Sequence, residues 1–221
     1  ALKKISKLEK ETPDGIFLTH AHIGHYSGLM YLGREAMNTN GVTVYVMPRM
    51  KKFLKNNGPW NQLIALKNIE LKELQVNNEE RLTKNISVTP LCVPHRDEYS
   101  ETVGYVIKGP TKKGLFVPDI DKWEKWNLKI DSVLKKVDIA FIDGTFYSGN
   151  EINNRNIKEI PHPFVIETLE LMKNLDAIEK SKIRFIHFNH TNPLINPSSK
   201  ETNEVLKNDF GIARLIERFN L

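Results

Sequence analysis

The chain contains little cysteine: Cys92 is the only one among 221 residues. A lone cysteine excludes an internal disulfide and a cysteine-ligated zinc knuckle within these residues. Cys92 lies in an apolar run, residues 88–93. We therefore expect a buried thiol that packs as a small hydrophobic group rather than a nucleophile.

Long apolar runs are absent as well. No stretch approaches the roughly 20 apolar residues that a membrane helix needs, and the first residues lack the basic, apolar and small-residue order of a signal peptide. We therefore expect a soluble chain with no membrane partner, and the cytoplasm is favoured over export. Because the chain begins with Ala1 rather than Met, we expect a processed or excised piece of a longer protein, which leaves export open.

A concentrated excess of positive charge is also missing. The net charge is +5, but the basic residues at 3–10, 51–55, 122–136 and 180–182 are interleaved with acidic or apolar ones. Mixed faces of this kind favour solubility over nucleic-acid binding. With 221 residues and 40% hydrophobic content, we expect one domain, residues 1–221, with a single core.

The apolar pattern predicts an α/β fold with helices packed on sheets. Short β-rich segments lie at residues 16–18, 42–47, 86–93, 102–107, 115–117, 139–142 and 183–188. Helical segments are expected through Leu2, Ile5 and Leu8, and at residues 27–37, 49–55, 130–136 and 164–175. The inward positions of the second should be Leu29, Leu32 and Met37, while Trp123 and Trp126 form a packing face three residues apart in a helix.

Three histidines lie in the loop between the strand at 16–18 and the helix at 27–37: His20, His22 and His25. Two residues apart in an extended segment, His20 and His22 project to the same side, and His25 returns as the chain turns into a helix. Three imidazoles within six residues suit a divalent ion such as zinc. The alternative is a set of loop histidines that cap a helix or make surface hydrogen bonds.

Further polar residues lie at or close to the carboxyl ends of other predicted strands. They are His95, Asp119, Asp143 and His187. Side chains at the carboxyl ends of strands converge on one rim of a sheet, where sites on such scaffolds form.

These segments resemble the metallo-β-lactamase superfamily, whose signature after a strand is His-x-His-x-Asp-His. Val93-Pro94-His95, Phe116-Val117-Pro118-Asp119 and Arg184-Phe185-Ile186-His187 are similar to its later ligand segments. Residues 19–33, 94–105 and 186–193 are particularly similar to the pyrroloquinoline quinone biosynthesis protein B (PqqB) group. The resemblance implies a four-layer αβ/βα sandwich of two mixed sheets. Because only 19 residues precede His20, it also implies that N-terminal strands are missing.

The resemblance further implies a ligand set. The first metal would be held by His20, His22 and His95, with Asp119 as a bridge, and the second by His25, His187 and Asp119. One or two zinc ions are expected, with iron or manganese as other choices. Gly24 stands where the superfamily places a metal-binding aspartate, so the second ion would be bound weakly or remain less neutralised and favour anionic substrates. The alternative is that Asp97, Glu98, Asp121 or Asp143 substitutes for the missing ligand.

The resemblance also implies a reaction, in which a metal-bound hydroxide attacks an ester or phosphodiester of a small, anionic substrate. Asp119 and His162 would be the catalytic residues, with His162 as the proton donor to the leaving group. The alternative is that His162 caps the helix that follows Pro163. Asp143 either orients a ligand histidine or forms an Asp-Gly turn, and His190 lies in a turn with a supporting role.

Two other functions compete with the hydrolase. Two or three histidines with one carboxylate also suit an iron-dependent, oxygen-using enzyme of quinone-cofactor biosynthesis. The loss of the aspartate at Gly24 favours a non-catalytic binding protein on the same fold. The sequence does not reveal the oligomeric state.

Overall fold

The computed structural model describes residues 12–151 and 160–221. The predicted helix through Leu2, Ile5 and Leu8 lies outside these residues. Contacts between residues divide the chain into two compact units. Unit 1 comprises residues 1–78 and 97–103, and unit 2 comprises residues 79–96 and 104–221. That the two units form one domain stays a prediction.

The sheet of unit 1 is parallel, with β2 (Val42–Val46) between β1 (Gly15–Phe17) and β3 (Ile69–Glu73). β2 alternates apolar and polar residues, as a half-buried strand does. Its inward residues Val42, Val44 and Val46 are buried, and their branched side chains suit a pleated surface. The predicted strands at 16–18 and 42–47 are confirmed, whereas β3 was not predicted.

The helices of unit 1 cover this sheet. They are α1 (Ile23–Tyr26), a 3₁₀ helix (Ser27–Leu32), α2 (Pro48–Asn56) and α3 (Trp60–Ala65). Pro48 begins α2 without loss because the first helical N–H needs no partner within the helix. Met50 and Leu54, four residues apart, are buried on the same face.

The predicted helix at residues 27–37 needs correction. Helical structure begins earlier, at Ile23, and ends at Leu32. Residues after Gly33 form turns instead, with the Ala36 N–H donating to the Gly33 carbonyl. Leu29 and Leu32 are buried as expected, but Met37 is 36% exposed because the chain has already left the helix.

Unit 2 contains a mixed sheet in the order β10-β9-β8-β7-β6-β5-β4. β7, β8, β9 and β10 run parallel to one another. β6 is antiparallel to β7, and β4 is antiparallel to β5. Its strands are β4 (Glu80–Arg81), β5 (Ser87–Cys92), β6 (Val103–Lys108), β7 (Lys113–Val117), β8 (Ile139–Asp143), β9 (Ile183–Ile186) and β10 (Gly211–Ile212).

The helices of unit 2 surround a large apolar core. They are α4 (Ile130–Leu134), α5 (Val165–Leu171), α6 (Ala177–Ser181), α7 (Lys200–Lys207) and 3₁₀ helices at Trp123–Lys125, Gly149–Glu151 and Pro193–Ile195. No helix in the described part of the chain is long and apolar enough to cross a membrane.

Two predictions about packing in unit 2 have different outcomes. Trp123 and Trp126 are buried in the core, as expected, although Trp123 begins a 3₁₀ helix and Trp126 follows it, so neither lies in an α-helix. The Trp126 indole N–H donates to the Cys92 carbonyl at 2.8 Å. The prediction that Cys92 is buried is wrong: it is the last residue of β5, and its side chain is exposed where the strand leaves the sheet.

The parallel strands of unit 2 bring polar residues to one edge. Asp119 follows β7, Asp143 ends β8 and His187 follows β9, and these three strands are neighbours that run in the same direction. The predicted convergence of strand-end residues is therefore confirmed for unit 2. Gly144 permits it, because a Cβ there would lie 3.0 Å from both Phe185 and Phe188.

Candidate metal centre

Three histidines of unit 1, His20, His22 and His25, lie together after β1, and we call them the loop histidines. His20 is buried, and its Nε2 lies 3.0 Å from Nδ1 of His22. The His25 ring lies 4.1 Å from the His20 ring, centroid to centroid. The extended segment brings His22 to the side of His20, and α1, which starts at Ile23, returns His25 to the same place.

His20 and His22 are each contacted at the ring nitrogen that does not face the other. The Thr19 hydroxyl lies 3.1 Å from Nδ1 of His20. The Glu98 carboxylate lies 3.1 Å from Nε2 of His22. Contacts at the outer nitrogen fix the tautomer and the ring orientation of a metal-binding histidine.

A second group lies at the sheet edge of unit 2, and we call it the aspartate group. It consists of His95, Asp119, Asp143, Thr145, His162 and His187. Asp119 and Asp143 are both buried. Oδ1 of Asp119 lies 3.4 Å from Nε2 of His95 and 3.2 Å from Nδ1 of His162, while Oδ2 of Asp143 lies 2.8 Å from the same His162 nitrogen.

Asp143 is an anchor of this group rather than only a turn residue. Its carboxylate accepts hydrogen bonds from the backbone N–H of Ile120 at 3.2 Å and of Thr145 at 2.8 Å. Burial raises the pKa of Asp143, but the hydrogen bond from His162 and the nearby His187 ring outweigh it and hold the pKa below its ordinary value. A buried carboxylate with this many donors remains charged.

Thr145 connects Asp143 to His187. Its hydroxyl donates to Oδ1 of Asp143 at 2.6 Å. The hydroxyl oxygen can in turn accept from Nδ1–H of His187 at 2.8 Å. That tautomer leaves Nε2 of His187 as the metal-binding nitrogen. His187 takes a left-handed backbone conformation, with φ of 63°, which is uncommon for a residue other than glycine and is typical of functional sites.

His162 lies between the two aspartates. Burial disfavours its protonated form, but hydrogen bonds and charge attraction from Asp119 and Asp143 outweigh burial and raise the pKa of His162 to about 10. It does not cap the following helix: α5 begins at Val165, and the Glu167 carboxylate accepts from the Phe164 N–H at 2.8 Å. The geometry therefore favours a role at the aspartates over a helix cap.

The sequence analysis missed Thr145 and Ser100, and it named Glu98 only as a substitute for the aspartate that Gly24 replaces. Thr145, Ser100 and the role of Glu98 carried no local signal, because each reaches a histidine segment from a distant part of the chain. His190 is exposed in a turn, and no hydrogen bond or ion pair within the described residues joins it to the loop histidines or the aspartate group. Its supporting role stays a prediction.

The donor atoms suit a divalent metal ion. Two nitrogens bound to a tetrahedral zinc at about 2.0–2.1 Å lie about 3.3 Å apart, close to the 3.0 Å between His20 Nε2 and His22 Nδ1. In the aspartate group, Asp119, Asp143 and His162 offer ligand atoms that lie within 4.8 Å of one another. The mixture of imidazole and carboxylate is one that zinc, iron and manganese all accept.

Comparisons with known proteins agree with this chemistry. The family model for the beta-lactamase superfamily domain matches residues 2–188. Coenzyme PQQ synthesis protein B of Acinetobacter baumannii (strain AYE) is 24% identical over 234 residues, which cover 96% of this chain and 75% of that protein.

Two solved structures share the fold. Zinc-bound PqqB from Methylobacterium extorquens matches with a TM-score of 0.72 and 18% identity, over 90% of this chain and 70% of that one. A diphosphatase of the PhnP family matches with a TM-score of 0.66 and 18% identity, over 96% of this chain and 73% of that one. The expected metallo-β-lactamase fold of mixed α/β content is confirmed, and the chain, which is similar to PqqB, belongs to the metallo-β-lactamase superfamily.

Proposed function

We propose that the chain is a metal-dependent hydrolase that cleaves an ester, phosphodiester or related bond in a small anionic substrate. The ligand set is the one that the family resemblance implies: His20, His22, His95 and Asp119 for one ion, and His25, Asp119 and His187 for a second. The observation that carries the proposal is the position of His162. It contacts a ligand carboxylate, Asp119, while Asp143 holds it from the other side.

A divalent ion bound by these ligands would lower the pKa of a water molecule to about 7 and polarise the oxygen of the attacked group. The protein's own residues would supply the proton to the leaving group. Asp119 and Asp143 keep His162 protonated at neutral pH, since its pKa is raised to about 10. With Nδ1 directed at the aspartates, the proton on Nε2 is the one available to the leaving group.

An anionic substrate is supported by the charge of the ligand set. Gly24 replaces a carboxylate of the superfamily signature, so the ions keep more of their positive charge. A relative of the same fold is described as a diphosphatase, which agrees with a phosphoester as substrate. The basic residues do not gather into a nucleic-acid-binding stripe, so a small molecule is preferred over RNA.

A second candidate is an iron-dependent, oxygen-using enzyme of quinone-cofactor biosynthesis. It is favoured by the similarity to coenzyme PQQ synthesis protein B, which extends over 96% of this chain. A histidine-rich site with one or two carboxylates also suits iron. Under this proposal, iron would be the native metal and turnover would require oxygen.

The first experiment measures metal content by elemental mass spectrometry on protein purified without added metal, beside the double variant His20→Ala/His22→Ala. One or two zinc or manganese ions that are lost in the variant support the hydrolase. A single iron with oxygen-dependent turnover supports the second candidate. No metal above the level of the double variant contradicts both and leaves a binding protein.

The second experiment assays bis-p-nitrophenyl phosphate and p-nitrophenyl esters. We expect His162→Ala to lower kcat about 10²–10⁴-fold, the range for a general acid, with metal content retained. Asn203→Ala, an exposed polar change on α7, is the control and should keep full activity. A His162→Ala variant with unchanged kcat would contradict the proton-donor role.

A further inference from the structure

We propose that Glu98 is a positioning residue for His22: its carboxylate accepts the Nε2–H of His22 and thereby presents Nδ1 to a metal ion. The inference rests on the proposed function, because it concerns a ligand of that metal centre. It assigns a role to the segment after His95, in which the sequence alone suggests only a substitute for the aspartate that Gly24 replaces.

The geometry at His22 supports this assignment. Oε2 of Glu98 lies 3.1 Å from Nε2 of His22, and Nδ1 of His22 lies 3.0 Å from Nε2 of His20. The two nitrogens of one imidazole point in different directions, so the carboxylate contacts the nitrogen that is turned away from His20. Of the two neutral tautomers, an ionised carboxylate selects the one that carries its proton on Nε2.

This arrangement makes Glu98 a partner of a ligand rather than a substitute for the aspartate lost at Gly24. An ion between His20 and His22 would bind at the nitrogen opposite the one that Glu98 contacts. A carboxylate hydrogen-bonded to a metal-binding histidine makes the ring more basic and adds negative charge one residue away from the ion. Glu98 can therefore offset part of the charge lost at Gly24.

Arg49, at the start of α2, holds the Glu98 segment in place. Its Nη2 donates to the Asp97 carbonyl at 2.6 Å, and its backbone N–H donates to both oxygens of the Glu101 carboxylate at 3.0 and 3.2 Å. Within the segment, the Thr102 hydroxyl donates to Oδ1 of Asp97 at 2.9 Å. The backbone on both sides of Glu98 is thus held by hydrogen bonds from Arg49 and from within the segment.

The same segment is tied to the backbone of the loop histidines. The Ala21 N–H, between His20 and His22, donates to the Ser100 hydroxyl at 2.8 Å, and the Val103 N–H donates to the Thr19 carbonyl at 3.1 Å. These two hydrogen bonds connect the segment directly to the histidine loop. The carboxylate reaches His22 from a backbone that is already in register with it.

The Glu98 side chain is 47% exposed, so its contact with His22 adds little to folding stability. Its effect should instead be measurable in metal affinity and in the tautomer of His22. We expect Glu98→Ala to weaken zinc binding about 10–100-fold, the range for the loss of such a partner. Glu98→Gln keeps an acceptor oxygen but loses the charge, so its affinity should fall between wild type and Glu98→Ala.

The test is zinc affinity by competition with a chromogenic chelator, together with long-range ¹H–¹⁵N spectra of the histidine rings in the metal-free protein. In wild type, His22 should carry its proton on Nε2, whereas Glu98→Ala should contain a mixture of tautomers. The matched control is Glu70→Gln, an exposed glutamate on β3, which should bind zinc as wild type does. Circular dichroism checks that each variant is folded.

The outcomes separate this inference from the proposed function. Wild-type protein that binds zinc no better than His20→Ala/His22→Ala would overturn the proposed function and this inference together. Wild-type protein that binds zinc, with Glu98→Ala within twofold of it and an unchanged His22 tautomer, would overturn the inference alone. If Glu98→Ala is unfolded, Glu98→Gln decides by the same two measurements.

Discussion

The loop histidines and the aspartate group are two ways to build a set of ligands. The first comes from six consecutive residues, and its carboxylate partner, Glu98, is 47% exposed. The second is assembled from the ends of several strands around two carboxylates, Asp119 and Asp143, that are almost fully buried. The first is a local feature of the chain, whereas the second exists only when the sheet of unit 2 is formed.

This difference has an energetic consequence. A buried carboxylate must be compensated by hydrogen bonds and opposite charge, so removal of one partner leaves the others without compensation. An exposed pair such as His22–Glu98 is solvated with or without its partner. The aspartate group should therefore be coupled to folding, and the loop histidines mainly to metal binding.

The largest expected effect is the loss of folding stability in the variant Asp143→Ala, measured on metal-free protein. It removes the acceptor for Thr145, Ile120 and His162, and we expect the free energy of unfolding to fall by about 3–5 kcal/mol. Glu98→Ala is the matched change in the other group and should cost less than about 1 kcal/mol. Urea unfolding measures both. Equal losses in the two variants would refute the contrast between the groups.

The same contrast explains what the sequence could predict. The loop histidines could be predicted because His20, His22 and His25 are close in sequence and follow a recognisable strand. The strand ends that carry Asp119, Asp143 and His187 were also predicted, because each of these residues lies at or close to the end of an apolar run. Their meeting at one edge also requires these strands to be parallel neighbours, which the structure shows.

Other features depend on long-range contacts that the sequence does not encode locally. Thr145 looks like any turn residue until the sheet places His187 beside it. The contact between Glu98 and His22 joins residues 76 positions apart. Cys92 was predicted to be buried from its apolar neighbours, but burial at the last residue of a strand is decided by what packs there, and the side chain is exposed.

The second prediction concerns the pH dependence of stability in the metal-free protein. The pKa of His162 is raised from 6.5 to about 10 in the fold. Its contribution to stability is therefore fully present below pH 6.5 and is lost as pH rises towards 10. The pKa of His187 is raised as well, so the effects add. We expect the free energy of unfolding, measured in urea with a chelator present, to decline across this range.

His162→Gln tests the assignment, because a glutamine cannot titrate. The variant should lose most of the decline above pH 6.5 and keep the part that belongs to His187. On the acidic side, Asp143 has a pKa below 3.8 in the fold, so its contribution is present above pH 3.8 and is lost as the pH falls below it. A wild-type protein whose stability is constant from pH 6.5 to 10 would contradict the charge arrangement of the aspartate group.

The third prediction restores the carboxylate that the loop histidines lack. A Cβ at Gly24 has no atom within 4 Å, so Gly24→Asp can be accommodated without displacing a neighbour. We expect the second metal ion to bind about tenfold more tightly, since one more ligand and one more negative charge are available. Calorimetric zinc titration measures the second equivalent. Gly24→Asn has the same size without the charge, and an equal gain in that variant would show that charge is not the cause.

The smallest expected effect is the loss of zinc affinity in Arg49→Ala. This variant tests whether the hydrogen bonds from Arg49 to the Glu98 segment contribute to metal binding. The change removes the bond from Nη2 to the Asp97 carbonyl but keeps the backbone bond to Glu101. We expect zinc affinity to fall about two- to fivefold, as for the loss of an exposed polar contact, while Lys52→Ala on the same helix has no effect. Because Arg49 acts through Glu98, Arg49→Ala should cause no further loss in a Glu98→Ala background. Additive losses of zinc affinity in the double variant would instead mean that Arg49 acts on the metal through its own charge and not through the Glu98 segment.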